Sequence, residues 1–260
     1  MFSSPFPNFI SFFCGQHLSS WSDFLLLPEE IEFLATLSSS KRRAEFSLGR
    51  YCAHMALSEF KLESEPILRN PDTREPCWPE SVRGSITHSE GFAAAAVGLD
   101  KDISGVGIDM ENLSRSVNFN IRRYVCVETE RKYLESLSPE QANRDLRIIF
   151  SAKESIFKCL FPISRTYLYF HDATVTIDEK NSGFSFILSK ACAGITPEAT
   201  GFMMTNPAGQ NLAQAAQYTI GKRALDQTMI SYSGPGFRSF SFTFSFKPLS
   251  KPESNIVRNI

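Results

Sequence analysis

The sequence predicts an α/β protein of the α+β kind, a pseudo-twofold arrangement of two similar helix-plus-sheet halves. Three observations carry this. Helix-period apolar spacing is followed by strand-like runs twice, once on either side of residue 104. Phe240-Ser-Phe-Thr-Phe-Ser-Phe246 alternates Phe with Ser or Thr, the pattern of a strand with one apolar face. Phe46-Ser-Leu-Gly-Arg50 and Phe150-Ser-Ala-Lys-Glu154 echo each other, and each is expected to open a helix. A protein of this kind places its ligand at the seam between halves.

After an irregular start, Glu29 to Leu37 and Arg42 to Phe60 have helical spacing, the second with Phe46, Leu48, Ala53, Ala56, Leu57 and Phe60 on one side. Ser39 or Ser40 caps its start. Asn70 to Pro79 carries Pro71, Pro76 and Pro79 around Asp72 and Thr73, which is loop chemistry. Gly84 to His88 and Phe92 to Val97, separated by Ser89, Glu90 and Gly91, read as a hairpin. Asp100 to Ser104 is a connector, and Gly105 to Glu111 is a buried strand. Helices are expected at Val127 to Leu137 and Leu146 to Leu160, and strands at Ala173 to Ile177, Gly183 to Leu188 and Gln217 to Ile220. The halves fall at residues 1–104, with a ligand-binding helix and loop, and 105–246, with the acidic residues. Residues 247–260, with Pro248, Pro252 and Ser254, form a disordered tail.

The 260 residues carry 27 basic and 28 acidic side chains, a net charge of −1, which speaks against a nucleic-acid binder held by excess positive charge. An apolar content of 42% with 21% charged residues is that of a packed globular protein. Six cysteines (14, 52, 77, 126, 159 and 192) lie far apart, without a C-x-x-C pair, and read as reduced thiols. Residues 1–20 hold five Phe but also Pro5, Pro7, Asn8 and Gln16, and the first Lys or Arg is Lys41, a poor secretory signal. With no apolar run of about 20 residues to span a bilayer, a cytoplasmic location is expected.

Four groups of residues carry chemistry. In Gly105-Val-Gly-Ile-Asp109-Met-Glu111 the carboxylates are two apart on a strand, so they share a face and repel unless a cation joins them. Hard oxygen donors of this kind suit Mg²⁺, although a strand end entering a solvated turn has the same pattern. The two glycines lack the third glycine and the helix of a dinucleotide loop. In Phe150-Ser-Ala-Lys-Glu154-Ser-Ile-Phe-Lys158, Glu154 and Lys158 are i and i+4 neighbours, either a surface salt bridge or a third carboxylate with a phosphate donor. Thr87 and His88 end a strand. Lys41-Arg-Arg43 with Arg50 is either a solvated helix face or a grip on a phosphate monoester.

Taken in order, these pieces resemble one family. Lys41-Arg-Arg-Ala-Glu-Phe-Ser-Leu-Gly-Arg50, Glu75-Pro-Cys-Trp-Pro79, Gly84-Ser-Ile-Thr-His88, Gly105-Val-Gly-Ile-Asp-Met-Glu111 and Phe150-Ser-Ala-Lys-Glu-Ser-Ile-Phe-Lys158 resemble the motifs of the 4′-phosphopantetheinyl transferases of the surfactin and enterobactin-synthase component D type. The likeness runs from about residue 15 to about residue 245. Phe150 stands where many members have Trp, Met110 replaces a β-branched residue, and Thr87 replaces the commoner Ser. The resemblance implies coenzyme A and Mg²⁺ bound between two halves, with an apo acyl, peptidyl or aryl carrier protein as partner and a monomeric enzyme. Arg42, Arg43 and Arg50 would then hold the 3′-phosphate, and Asn70, Pro71, Asp72, Thr73 and Arg74 would line the adenine. Thr87 and His88 would contact the diphosphate. Asp109, Glu111 and Glu154 would ligate Mg²⁺. Lys158 would face the migrating phosphate, and Glu154 would act as base, directly or through water, on the carrier serine.

Two other functions use the same residues differently. A Mg²⁺-dependent phosphohydrolase of coenzyme A or a nucleotide would put water where the serine goes. A non-catalytic carrier-protein-binding module would have no need of Asp109, Glu111, Glu154 and Lys158 together.

Overall fold

A computed structural model describes residue 6, residues 9–16, 26–112, 117–178 and 183–189, and the backbone of strands at 198–205, 212–217 and 239–246. The expected disordered tail, residues 218–220 of the strand expected at Gln217 to Ile220, and Cys192 lie outside these residues.

The N-terminal half begins with a strand, β1 (Ile10–Gln16), in the region expected to be irregular. The Pro and Asn that break the pattern precede residue 9, while Phe12, Phe13 and Cys14 pair on the edge of β5 (Phe92–Leu99). Helix α1 (Pro28–Ala35) starts on a proline, and α2 (Ser40–Leu57) is capped by Ser39, whose hydroxyl accepts from the Arg42 amide. A two-stranded ribbon, β2 (Leu68–Arg69) with β3 (Pro76–Cys77), carries the proline-rich loop. The expected hairpin is β4 (Val82–Ser89) with β5, turned by Glu90 and Gly91, both at positive φ.

The alanines of β5 explain how this sheet is covered on both sides. Ala93, Ala95 and Val97 pack under Leu48, Cys52, Ala53 and Ala56 of α2. Ala94 and Ala96, on the other face, pack with Val106, Ile108 and Met110 of β6 (Gly105–Asn112). Small side chains on both faces let a helix and a strand approach closely.

β6 starts the larger sheet. Its order is β6, β11 (Ser239–Phe246), β10 (Leu212–Gln217), β9 (Glu198–Thr205), β8 (Gly183–Leu188) and β7 (Ala173–Asp178). All neighbours are antiparallel except β10 and β11. The Phe-alternating segment is β11, and positions 240, 242, 244 and 246 pair with 111, 109, 107 and 105 of β6. Two short helices, α3 (Arg122–Val125) and α4 (Glu128–Glu135), lead to α5 (Pro139–Ser164). This last helix is longer than its expected 146–160 because Ser138 caps it and Pro139 sits at its first position. Pro162 falls in its final turn, and Arg165 ends it in the left-handed conformation. Leu146, Ile149, Ala152, Ile156 and Leu160 pack with Val175, Phe184, Phe186 and Leu188. Among the described residues no helix is long and apolar enough to cross a membrane.

Phe46 and Phe150 lie inside α2 and α5 rather than opening them, so the twofold echo expected there is not a helix-start motif. A different pair carries the repeat. Glu30, in the first turn of α1, accepts from the Leu27 amide (3.1 Å) and from Ile67 (2.9 Å), and its carboxylate meets His54 of α2. Glu130, in the first turn of α4, accepts from the Val127 amide (2.8 Å) and from Val175 (2.7 Å), and meets Lys153 of α5. In each half a short helix caps its own start with a glutamate that also ties a downstream strand or its approach to a longer helix.

Candidate active site

β6 lies between the two halves, and its alternation sorts its side chains. Val106, Ile108 and Met110 face the N-terminal sheet, while Gly105, Gly107, Asp109 and Glu111 take the α5 side. Both glycines are there for closeness. A Cβ on Gly107 would collide with the Ser155 carbonyl and lie 2.7 Å from the Cys159 nitrogen, and one on Gly105 would lie 2.9 Å from the Cys159 carbonyl. The G-x-G is thus the surface on which α5 rests, and that contact delivers Lys158 to Asp109.

Lys158 Nζ donates to Asp109 Oδ1 at 2.7 Å and to the Ile108 carbonyl at 3.2 Å. Thr87 of β4, 2% exposed, donates its hydroxyl to the same Asp109 oxygen at 3.3 Å. Nearby, Ser85 accepts from the Ile108 amide at 3.0 Å, joining the halves a second time. Asp109 Oδ2 is buried and has no hydrogen-bond partner among the described residues. Burial first, then the charge of Asp109, push the Glu111 carboxyl up to about 7, with Arg147 and Lys158 offsetting and Glu154 adding. Burial and Asp109 likewise raise Glu154 against the pull of Lys158. Glu154 has no hydrogen bond or ion pair among the described residues. Three carboxylates thus share one electrostatic site with a single lysine bonded to one of them. Among the described residues no group of three or more His, Cys, Asp or Glu side chains is drawn together as a closed metal cage. An all-oxygen donor set with an orphaned buried Asp oxygen nevertheless fits a hard dication.

His88, half-exposed, faces Glu45 of α2 at 3.8 Å. Burial lowers its pKa most, Lys158 and Lys41 lower it further, and Glu45 and Asp109 oppose them, which places His88 in the field of the same site.

The basic cluster is assembled from two elements. Arg50 is 6% exposed; its Nε donates to the Ile67 carbonyl at 2.5 Å, and its guanidinium lies 4.5 Å over the Phe46 ring. Burial lowers its pKa to about 10, with Glu30 opposing and Arg69 adding. Arg69 is itself lowered by burial and then by Arg74 and Arg42. Arg42, Arg50, Arg69 and Arg74 therefore form one electropositive patch. Arg69 was missed from the sequence, although it adjoins Asn70, because only the β2–β3 ribbon turns it towards α2. Arg43 is exposed, and its side chain has no ion pair or hydrogen bond among the described residues. The 70–74 loop is tied to itself: Asn70 Oδ1 accepts from the Asp72 and Thr73 amides, and Arg74 sits at positive φ. Glu75 then reaches across to pair with Arg165 at the end of α5.

Beside Glu154 opens a cavity of about 460 Å³ lined by Tyr124, Phe157, Tyr167, Tyr169 and Phe170 among others. Lys153 lies beneath it, 2% exposed at its side chain, donating to Glu130 (2.7 Å), the Val125 carbonyl (2.8 Å) and the Phe170 carbonyl (2.9 Å). Lys153 is therefore a buried brace for the cavity wall, a role its place beside Glu154 in the sequence does not reveal.

The acidic group of β6 and α5 and the arginine cluster of α2 and the β2–β3 ribbon have the chemistry to receive a dication and a phosphate ester. Comparisons with known proteins make the class specific. The model of the 4′-phosphopantetheinyl transferase N-terminal domain matches residues 30–98, and that of the 4′-phosphopantetheinyl transferase superfamily matches residues 105–194. The chain is 36% identical over 159 residues to the 4′-phosphopantetheinyl transferase PptT of Mycobacterium tuberculosis, covering 61% of this chain and 68% of that one. It is 36% identical over 163 residues to the 4′-phosphopantetheinyl transferase Svp of Streptomyces mobaraensis, 62% and 65% of the two chains. With enterobactin synthase component D of Salmonella typhimurium it shares 33% identity over 156 residues, 59% and 62% of the two. The chain belongs to the 4′-phosphopantetheinyl transferases and, as an enzyme of that family, has coenzyme A as its substrate.

Proposed function

We propose that the seam between the halves is where the phosphopantetheine arm of coenzyme A passes to a serine of an apo carrier protein, in siderophore, nonribosomal peptide or polyketide synthesis in the cytoplasm, by a monomeric enzyme. The observation that carries this reading is the Lys158–Asp109 pair with its orphaned Asp109 oxygen, set between Glu111 and Glu154.

In this reading Arg42, Arg50, Arg69 and Arg74 receive the 3′-phosphate, whose charge relieves the repulsion among them. The self-bonded 70–74 loop borders the adenine. His88 and Lys158 flank the diphosphate. The Thr87 hydroxyl is spent on Asp109, so its part is to fix that carboxylate rather than to touch the diphosphate. The aromatic cavity beside Glu154 takes the pantetheine arm, an amphipathic chain suited to its ring and carbonyl walls. Asp109, through Oδ2, with Glu111 and Glu154, would hold Mg²⁺, which when bound supplies charge neutralisation at the diphosphate.

The serine Oγ attacks the β-phosphorus of coenzyme A, and the bond from that phosphorus to the bridging oxygen breaks. The serine proton goes to Glu154, directly or through a water, and 3′,5′-ADP leaves with the bonding electron pair. Lys158 stabilises charge growing on the phosphoryl oxygens.

The test separates transfer from hydrolysis. With coenzyme A and Mg²⁺, 3′,5′-ADP should appear only when an apo carrier protein is added. Its appearance at the same rate without a carrier would make the protein a phosphohydrolase.

A further inference from the structure

Behind the arginine patch lies a buried ionic group that contacts no proposed ligand. Glu30 is fully buried, and both its oxygens approach His54 Nε2, at 3.0 and 2.9 Å. His54 is 8% exposed, and its buried Nδ1 has no hydrogen-bond partner among the described residues. One imidazole N–H is therefore spent entirely on Glu30. The Glu30 carboxylate also takes the amide of Ile67, and the carbonyl of that same residue takes Arg50 Nε. Ile67 is fully buried, so its peptide is held at both ends within the protein. His54, Glu30, the Ile67 peptide and Arg50 form an unbroken hydrogen-bonded chain from the interior to the patch.

We propose that Glu30 and His54 are positioning residues for coenzyme A recognition, setting the direction of Arg50 and stabilising its charge where it is buried. The proposal rests on the 3′-phosphate reading of the patch. Two effects act together. Glu30 fixes the Ile67 peptide, and the carbonyl of that peptide orients the guanidinium fork, whose geometry decides bidentate contact with a phosphate. Glu30 also supplies the negative charge that favours the cationic form of Arg50 in a buried position. His54 helps to keep the carboxylate ionised and turned towards Ile67, as the lowered pKa of Glu30 reflects: burial pushes it up most, but the His54 interaction together with the Ile67 and Leu27 amides outweighs burial. The equivalent glutamate of the other half, Glu130, is paired with a lysine, and its network ends at the cavity wall rather than at an arginine. The two halves thus use one device for different ends of the ligand.

The test uses the full chain with coenzyme A and 3′-dephospho-coenzyme A as paired substrates. Glu30→Gln keeps the volume but removes the charge and sets an amide donor among the N–H groups of Leu27, Ile67 and His54. It should raise KM for coenzyme A about tenfold, the equivalent of ~1.4 kcal/mol, with KM for the dephospho form and kcat for both within twofold. His54→Gln, which leaves Glu30 charged and offers it a donor, should show the same selectivity to a smaller extent, and it carries the test if Glu30→Gln does not fold. A loss of melting temperature with KM raised equally for both substrates would make the pair merely structural and overturn the proposal. Arg69→Ala is the control. Selectivity in Arg69→Ala without selectivity in the Glu30 and His54 variants overturns the positioning role alone. No selectivity in any of them overturns the phosphate site and the proposal with it.

Discussion

Lys158 of α5 and Asp109 of β6 meet at 2.7 Å within the C-terminal half, while the other Asp109 oxygen is buried and has no hydrogen-bond partner among the described residues. The pair exists because two glycines of β6 let α5 come down onto the strand. It commits Lys158 to the acidic group from which the proposed chemistry draws. Removing Lys158 should therefore affect rate more than binding. Lys158→Ala should lower kcat by about a hundredfold or more, with a smaller change in KM for coenzyme A, since charge builds on the phosphoryl oxygens as the bond breaks. A surface salt bridge would instead cost a few tenths of a kcal/mol in stability and nothing in rate. Steady-state kinetics with thermal melts separates the two.

Glu111 makes the site sensitive to pH. Its carboxyl is raised from 4.5 to about 7. Between those values the folded protein holds a proton that the unfolded chain has released, so the contribution of this group to stability is present at low pH and lost as pH rises to about 7. In chelator, Glu111→Gln should gain melting temperature relative to the parent across that window. Mg²⁺ added at pH 7 should then raise the parent more than the variant. A difference independent of both pH and Mg²⁺ would detach Glu111 from the acidic site.

Gly107 tests the contact that forms the pair. A methyl group there runs into the Ser155 carbonyl and the Cys159 backbone, so Gly107→Ala must push α5 off β6. A loss of about 1–3 kcal/mol from overpacking is expected, together with a fall in turnover as Lys158 withdraws from Asp109. Denaturant titration that finds the variant as stable as the parent would contradict the close approach.

Lys153 is a neighbour of the site with a structural duty. With both side chains 2% exposed, Lys153→Met leaves Glu130 charged and buried, at a cost of about 3–5 kcal/mol. Lys153→Met combined with Glu130→Gln should recover part of that loss. A double-mutant cycle showing simple additivity would sever the pair.

The parts of the molecule that the sequence made legible are those where a local pattern decides the outcome. The β4–β5 hairpin follows from Glu90 and Gly91 between short β-compatible runs, and β6 and α5 follow from their spacing. The halves of the acidic site were legible for the same reason: Asp109 and Glu111 share a strand face, and Glu154 and Lys158 share a helix face. β1 was not, because its pairing is supplied by β5, some 80 residues away, and its flanking prolines mask it. Lys158 was read beside Glu154, its helix neighbour, but its hydrogen bonds go to Asp109 and Ile108, as only the packing of α5 on β6 reveals. The roles of Thr87, Arg69 and Lys153 are likewise products of tertiary contact. The likeness between Phe46–Arg50 and Phe150–Glu154 does not mark equivalent helix starts, whereas the Glu30 and Glu130 networks, which carry the repeat, are one glutamate each in sequence and become visible only through their hydrogen bonds.

The central claim is that Glu154, one turn from Lys158 on α5, takes the serine proton during transfer of the arm. The measurement closest to it is the intact mass of an apo carrier protein after incubation with coenzyme A, Mg²⁺ and either the parent enzyme or Glu154→Gln. The parent should add the mass of one phosphopantetheine arm to the carrier serine, and Glu154→Gln, still folded by thermal melt, should do so about 10²- to 10⁴-fold more slowly. Modification of the carrier at the parental rate by Glu154→Gln would contradict the account.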